Sequence, residues 1–98
     1  MNILFVCTGN TCRSSMAEGI FKHLLKEFSI ENIYVSSAGI SAFDGDEANE
    51  KAIYTLNKKG IDISNHKARQ LSKNFMNDFD LILTMTQKIK INLNCRKS

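Results

Sequence analysis

The chain opens on an apolar run, Asn2-Ile3-Leu4-Phe5-Val6, that stops at the loop Cys7-Thr8-Gly9-Asn10-Thr11-Cys12-Arg13-Ser14 and resumes as an amphipathic pattern. A short run with no polar alternation is what a parallel strand covered on both faces requires. Beyond the loop, Met16, Ala17, Ile20, Phe21, Leu24, Leu25 and Phe28 recur at helical spacing, with Glu18, Lys22, Lys26 and Glu27 opposite, which predicts a helix with one buried face. A loop between such a strand and helix can wrap an oxyanion. Its backbone N–H groups and the helix N-terminus share a centre that favours a phosphate, and favours thiolate over thiol at Cys7. Gly9 is the position expected to need a positive φ. Arg13 adds a planar, permanently charged fork that matches two phosphoryl oxygens, and Cys7 is the candidate nucleophile.

C-x5-R-S directly after an N-terminal strand resembles the phosphate loop of the low-molecular-weight protein tyrosine phosphatase family. VCTGNTCRS followed by MAE carries the resemblance most strongly. It continues through Ser36-Ser37-Ala38-Gly39, Gly60-Ile61-Asp62-Ile63, His66-Lys67-Ala68-Arg69-Gln70-Leu71 and Phe79 to Thr86, and then fades. The resemblance implies that Cys7 attacks phosphorus while Thr8, Gly9, Asn10, Thr11, Cys12 and Arg13 surround the phosphate, forming a cysteinyl-phosphate that water hydrolyses. It further implies that Ser14 hydrogen-bonds the Cys7 sulfur, that Asn10 braces the loop, and that neither a metal nor another cofactor takes part. The implied partner is a phosphorylated protein or peptide, or a free oxyanion such as phosphate.

Composition narrows the alternatives. The 98 residues suffice for one domain with a modest core, of which residues 87–98 are expected to be a poorly matched tail. With 43% hydrophobic and 23% charged residues, and no apolar run near the length of about eighteen that a span needs, a membrane protein is excluded. The N-terminus lacks the pattern of a secretory signal and a bridged Cys7 would not be nucleophilic, so a cytoplasmic location is expected. Net charge is +3, but the lysines are scattered and no basic run is interleaved with aromatics, which argues against a nucleic-acid partner. Cys7 and Cys12 form no CxxC pair and have no neighbouring His, which argues against zinc.

Further along, Asn32–Ser37 reads as a second strand pairing with the first, and Asp44 with Glu47 reads as a capping box opening a helix that Gly60 ends. A short helix from about Ser72, with Phe75, Met76 and Phe79 packing inward, leads to a third strand over Asp80–Thr84, on the far side of strand one. The expected fold is therefore α/β and three-layered: a parallel sheet of strand order 2-1-3 with the phosphate loop after strand 1. The resemblance implies a fourth strand, a last helix and an Asp-Pro pair whose Asp is the general acid. The chain contains no proline, so an incomplete, C-terminally truncated domain is expected, with impaired turnover and self-association through an exposed third strand.

Phe43, by its place after Ala38-Gly39, is expected either to wall the substrate cleft together with Thr11 or to be a half-buried loop residue. Cys12 is either a resolving thiol for oxidised Cys7 or an inert residue packed under the loop. His23, His66 and Arg69 read as structural, Cys95 has no role, and Asp44 or Asp46, in the facing loop, is the first candidate to substitute for the missing acid. Between substrates, phosphotyrosine is the family's general activity, while Thr11 and Thr86 resemble the bacterial protein-arginine-phosphatase branch. A catalytically weak phosphate-binding pseudophosphatase is the alternative. An arsenate reductase is disfavoured by Thr86 in the place of a relay cysteine, and a phosphocysteine carrier by Arg13.

Overall fold

The first strand, β1 (Asn2–Cys7), is central because both of its faces are apolar. In a computed structural model that describes residues 1–84, it pairs in parallel with β2 (Tyr34–Gly39) on one side and β3 (Leu81–Thr84) on the other, giving the order β2-β1-β3. The register aligns Asn2 with Tyr34 and Cys7 with Gly39, and Ile3 with Leu81. Side chains alternate between the two faces. Ile3, Phe5 and Val35 face the helix α1 (Arg13–Glu27), meeting Ala17, Phe21 and Leu25. Leu4, Val6 and Ala38 face the opposite layer, which consists of the short helix α3 (Lys73–Met76) and its flanks, through Leu71, Phe75, Met76 and Phe79. The α/β, three-layered, 2-1-3 architecture is thus as expected.

The α1 face is narrower than its sequence pattern. Ile20, Leu24 and Phe28 are exposed, Phe28 to 71%, while the three strands among the described residues cover the stripe of Ala17, Phe21 and Leu25. A second flank of α1 meets α2 (Glu50–Asn57) through Met16, which packs against Ala52, Leu56, Ile61 and Ile63. Gly19 makes that approach possible, since a Cβ there would lie 2.5 Å from the Ile63 side chain.

The capping box is not formed. Asn49 caps α2, its side chain accepting from the Lys51 N–H at 2.8 Å, while Asp44 and Glu47 bond instead to the segment 67–70. The helix ends ahead of Gly60, which adopts φ +76°. β2 begins at Tyr34, two residues after the expected start, where the Tyr34 N–H reaches the Met1 carbonyl at 2.8 Å. No helix among the described residues is long and apolar enough to cross a membrane. Thr86, Cys95 and the expected tail 87–98 lie outside the described residues.

Candidate active site

The loop between β1 and α1 is held from outside by its carbonyl groups. The Cys7 carbonyl accepts from Ile40 N–H (3.1 Å), that of Thr8 from Ser41 N–H (2.9 Å), and that of Thr11 from Asn49 N–H (2.6 Å). The carbonyl of Asn10 receives the Nε2 of His66 at 2.7 Å, and since a carbonyl only accepts, Nε2 carries the proton. There is no cis peptide among the described residues, so each N–H lies opposite the carbonyl of its own peptide plane. Anchoring the carbonyls of residues 7, 8, 10 and 11 outward therefore turns the N–H groups of Thr8, Gly9, Thr11 and Cys12 the other way. The result is a backbone nest for an oxyanion at the head of α1, whose first residue is Arg13.

Within this loop the Cys7 thiol is buried. Its Sγ lies 2.9 Å from Ser14 Oγ and accepts the Asn10 N–H at 3.2 Å. These polar neighbours replace the water that the buried sulfur loses.

Asn10 is the hub. It is wholly buried, and it is Asn10, not Gly9, that takes the positive φ, +59°. Asparagine tolerates this conformation, and its side chain is put to use there. The carboxamide nitrogen donates to Ser14 Oγ and Ser37 Oγ, each at 2.8 Å, and the carboxamide oxygen accepts the Arg69 N–H at 2.8 Å. Ser37 Oγ donates in turn to Glu18, which also holds Lys22 at 2.5 Å and faces His66 Nδ1 at 4.0 Å. Every buried polar side chain among the described residues is satisfied.

Glycine matters at another position. A Cβ on Gly39 would come within 2.5 Å of the Thr8 carbonyl oxygen and 3.0 Å of the Asn10 nitrogen, so only glycine lets β2 run this close to the loop. Around Gly9 the nearest atom to an added Cβ is Thr11 Oγ1 at 3.6 Å.

The remaining sequence-predicted residues divide. Cys12 caps α1 and is exposed, so the reading that packs it under the loop is corrected. Phe43 is 77% exposed, so it is not a half-buried loop residue; its loop starts beside the phosphate loop, at the Ile40 and Ser41 contacts. Asp44 Oδ1 accepts the Gln70 N–H, and the Asp46 carbonyl accepts that of Ala68. His66 and Arg69 both meet the phosphate loop, His66 through the Asn10 carbonyl and the Arg69 N–H through Asn10 Oδ1. The partners Glu18, Ser37, Asn49 and Gln70 were not singled out as site residues. The segments MAE, SSAG and HKARQL that hold Glu18, Ser37 and Gln70 carry the family resemblance, and Asn49 lies in none of them; a contact between residues tens of positions apart leaves no local pattern. No group of three or more His, Cys, Asp or Glu among the described residues could hold a metal ion.

Comparison with known proteins agrees with this geometry. The model of the family described as low molecular weight phosphotyrosine protein phosphatase matches residues 2–97. The chain is 42% identical to a protein-arginine-phosphatase of Bacillus subtilis over 90 residues, covering 92% of this chain and 59% of the relative. It is 45% identical to an arsenate reductase of Staphylococcus haemolyticus over 83 residues, covering 85% and 58%. A crystal structure of a YwlE mutant from Bacillus subtilis superposes with a TM-score of 0.90 at 38% identity, covering 98% of this chain and 64% of that one. The chain thus spans about three fifths of the length of the curated relatives it matches.

Proposed function

The chain belongs to the low molecular weight phosphotyrosine protein phosphatase family, and from that premise we propose that it removes phosphoryl groups from tyrosine or arginine side chains of proteins through Cys7. The observation that carries the proposal is the placement of the Cys7 sulfur against Ser14 Oγ and the Asn10 N–H, inside a loop whose Cys7, Thr8, Asn10 and Thr11 carbonyls are tied outward. Cys7 releases its proton to solvent and attacks phosphorus as the thiolate; an S–P bond forms as the P–O or P–N bond to the substrate breaks, and the leaving group takes a proton back from solvent. Loop N–H groups and the Arg13 guanidinium hold the equatorial oxygens. Water then cleaves the S–P bond, releasing phosphate and restoring the thiol.

Phenolate leaves with a pKa of about 10, so proton donation matters for natural substrates. Asp44, a carboxylate in the loop after β2, already accepts the Gln70 N–H at 2.8 Å. The proposal includes faster turnover of activated aryl phosphates, whose leaving groups need no proton, than of phosphopeptides. An arsenate reductase relay needs two thiols beyond the loop, and of the three cysteines only Cys95 lies outside it.

The test is hydrolysis of phosphotyrosine and phosphoarginine peptides by the wild-type chain and by Cys7→Ser and Arg13→Ala. Release of phosphate that Cys7→Ser abolishes, with phosphate binding retained, supports the proposal. Equal activity in Cys7→Ser contradicts it.

A further inference from the structure

Two consecutive backbone amides hold two different loops. The Arg69 N–H donates to Asn10 Oδ1 at 2.8 Å, in the phosphate loop, and the Gln70 N–H donates to Asp44 Oδ1 at 2.8 Å, in the loop after β2. The Gln70 side chain then reaches the same loop from within: Oε1 accepts the Ala42 N–H at 2.9 Å, and Nε2 donates to the Ile40 carbonyl at 2.9 Å and to that of Leu71 at 3.2 Å. One residue thus grips positions 40, 42 and 44, bracketing Phe43 on both sides. The strap continues with Gly39 N–H to the Arg69 carbonyl (2.8 Å) and Gly45 N–H to that of Ala68 (2.9 Å). Phe43 is largely exposed, so its place is inherited from these backbone anchors rather than from packing of its ring.

We propose that Gln70 is a positioning residue that fixes Phe43 relative to Cys7, and so selects phosphorylated side chains with a planar leaving group, aryl or guanidine, over small phosphate esters. The inference rests on the reading of Phe43 as a wall of the substrate cleft. Because the strap holds both loops through neighbouring residues, 69 and 70, the spacing between wall and phosphate is set within one peptide unit.

The test is Gln70→Met, which keeps the side-chain length and removes its three hydrogen bonds while leaving the Gln70 N–H bond to Asp44. Ala42 amide exchange, read by NMR on the full chain, should accelerate about tenfold, and KM for an aryl phosphate should rise by a similar factor, about 1.4 kcal/mol, as expected for the loss of the one neutral hydrogen bond that the Ala42 N–H makes. Binding of inorganic phosphate should stay at the wild-type value, since phosphate meets the loop and not the wall. Gln70→Glu, which restores the acceptor, should slow Ala42 exchange again. In a Phe43→Ala background Gln70→Met should add nothing to KM. Unchanged Ala42 exchange, or phosphate binding that weakens in step with the aryl KM, would overturn the proposal. An aryl KM untouched by Phe43→Ala alone would overturn the cleft-wall reading, and Ala42 exchange would still report on Gln70.

Discussion

The Nε2 of His66 lies 2.7 Å from the carbonyl oxygen of Asn10, 56 positions earlier in the chain. That bond joins the segment after α2 to the phosphate loop, and it does so at the residue whose N–H points at the Cys7 sulfur. His66→Ala leaves a buried carbonyl without a partner, which costs about 1–3 kcal/mol. The expected outcome is a loss of that size in urea unfolding, together with weaker inorganic phosphate binding. Wild-type phosphate affinity in His66→Ala would show that the loop keeps its shape without this brace.

Asn10 combines a left-handed backbone with three side-chain hydrogen bonds. Asn10→Ala should destabilise the chain by about 2–4 kcal/mol, because Ser14, Ser37 and the Arg69 N–H all lose a buried partner. Asn10→Gly loses the same bonds but accepts the positive φ, and should be milder by about 1 kcal/mol. Chemical unfolding of the two variants side by side checks the order.

A pair of glycine substitutions separates close approach from mere flexibility. Gly39→Ala drives a methyl into the Thr8 carbonyl and the Asn10 nitrogen, and should cost about 1–3 kcal/mol and disturb phosphate binding. Gly9→Ala meets nothing closer than 3.6 Å and needs no positive φ, so its unfolding midpoint should move little, by about 0.5 kcal/mol at most. The reverse order would mean that the loop rearranges around Gly9.

These glycines mark where the sequence is legible and where it is not. Strand, loop and helix could be read from Asn2 to Phe28 because apolar spacing is local, and the order 2-1-3 followed from two crossovers. The pairing of Cys7 with Ser14 is carried by the family resemblance, and the structure sets the Cys7 Sγ 2.9 Å from Ser14 Oγ. By contrast, which of Gly9 and Asn10 takes the positive φ depends on Ser37 and Arg69, brought in by other elements. Asp44 and Glu47 carry the spacing of a capping box, but the strap 67–70 competes for both and leaves Asn49 to cap α2. The exposed Ile20, Leu24 and Phe28 show the same limit: helical periodicity gives a face, and only the width of the sheet says how much of it is covered.

Cys12 is exposed at the head of α1, five positions from the buried Cys7, and both are free thiols. Mild peroxide is expected to link them reversibly once Cys7 is oxidised to the sulfenic acid, which condenses with the Cys12 thiol and releases water. Peptide mapping by mass spectrometry, before and after dithiothreitol, reads the bridge. Over-oxidation of Cys7 with no bridge would remove the resolving role from Cys12. Cys12→Ser should leave turnover close to wild type.

The central claim is that Cys7 carries the phosphoryl group. Rapid quenching of the 98-residue chain with an activated aryl phosphate, followed by peptide mapping, tests it most directly. The account predicts a burst of phenol approaching one equivalent per chain and a phosphate adduct on the peptide containing Cys7, both lost in Cys7→Ser. Phenol release without a burst or adduct, or an undiminished rate in Cys7→Ser, would contradict it.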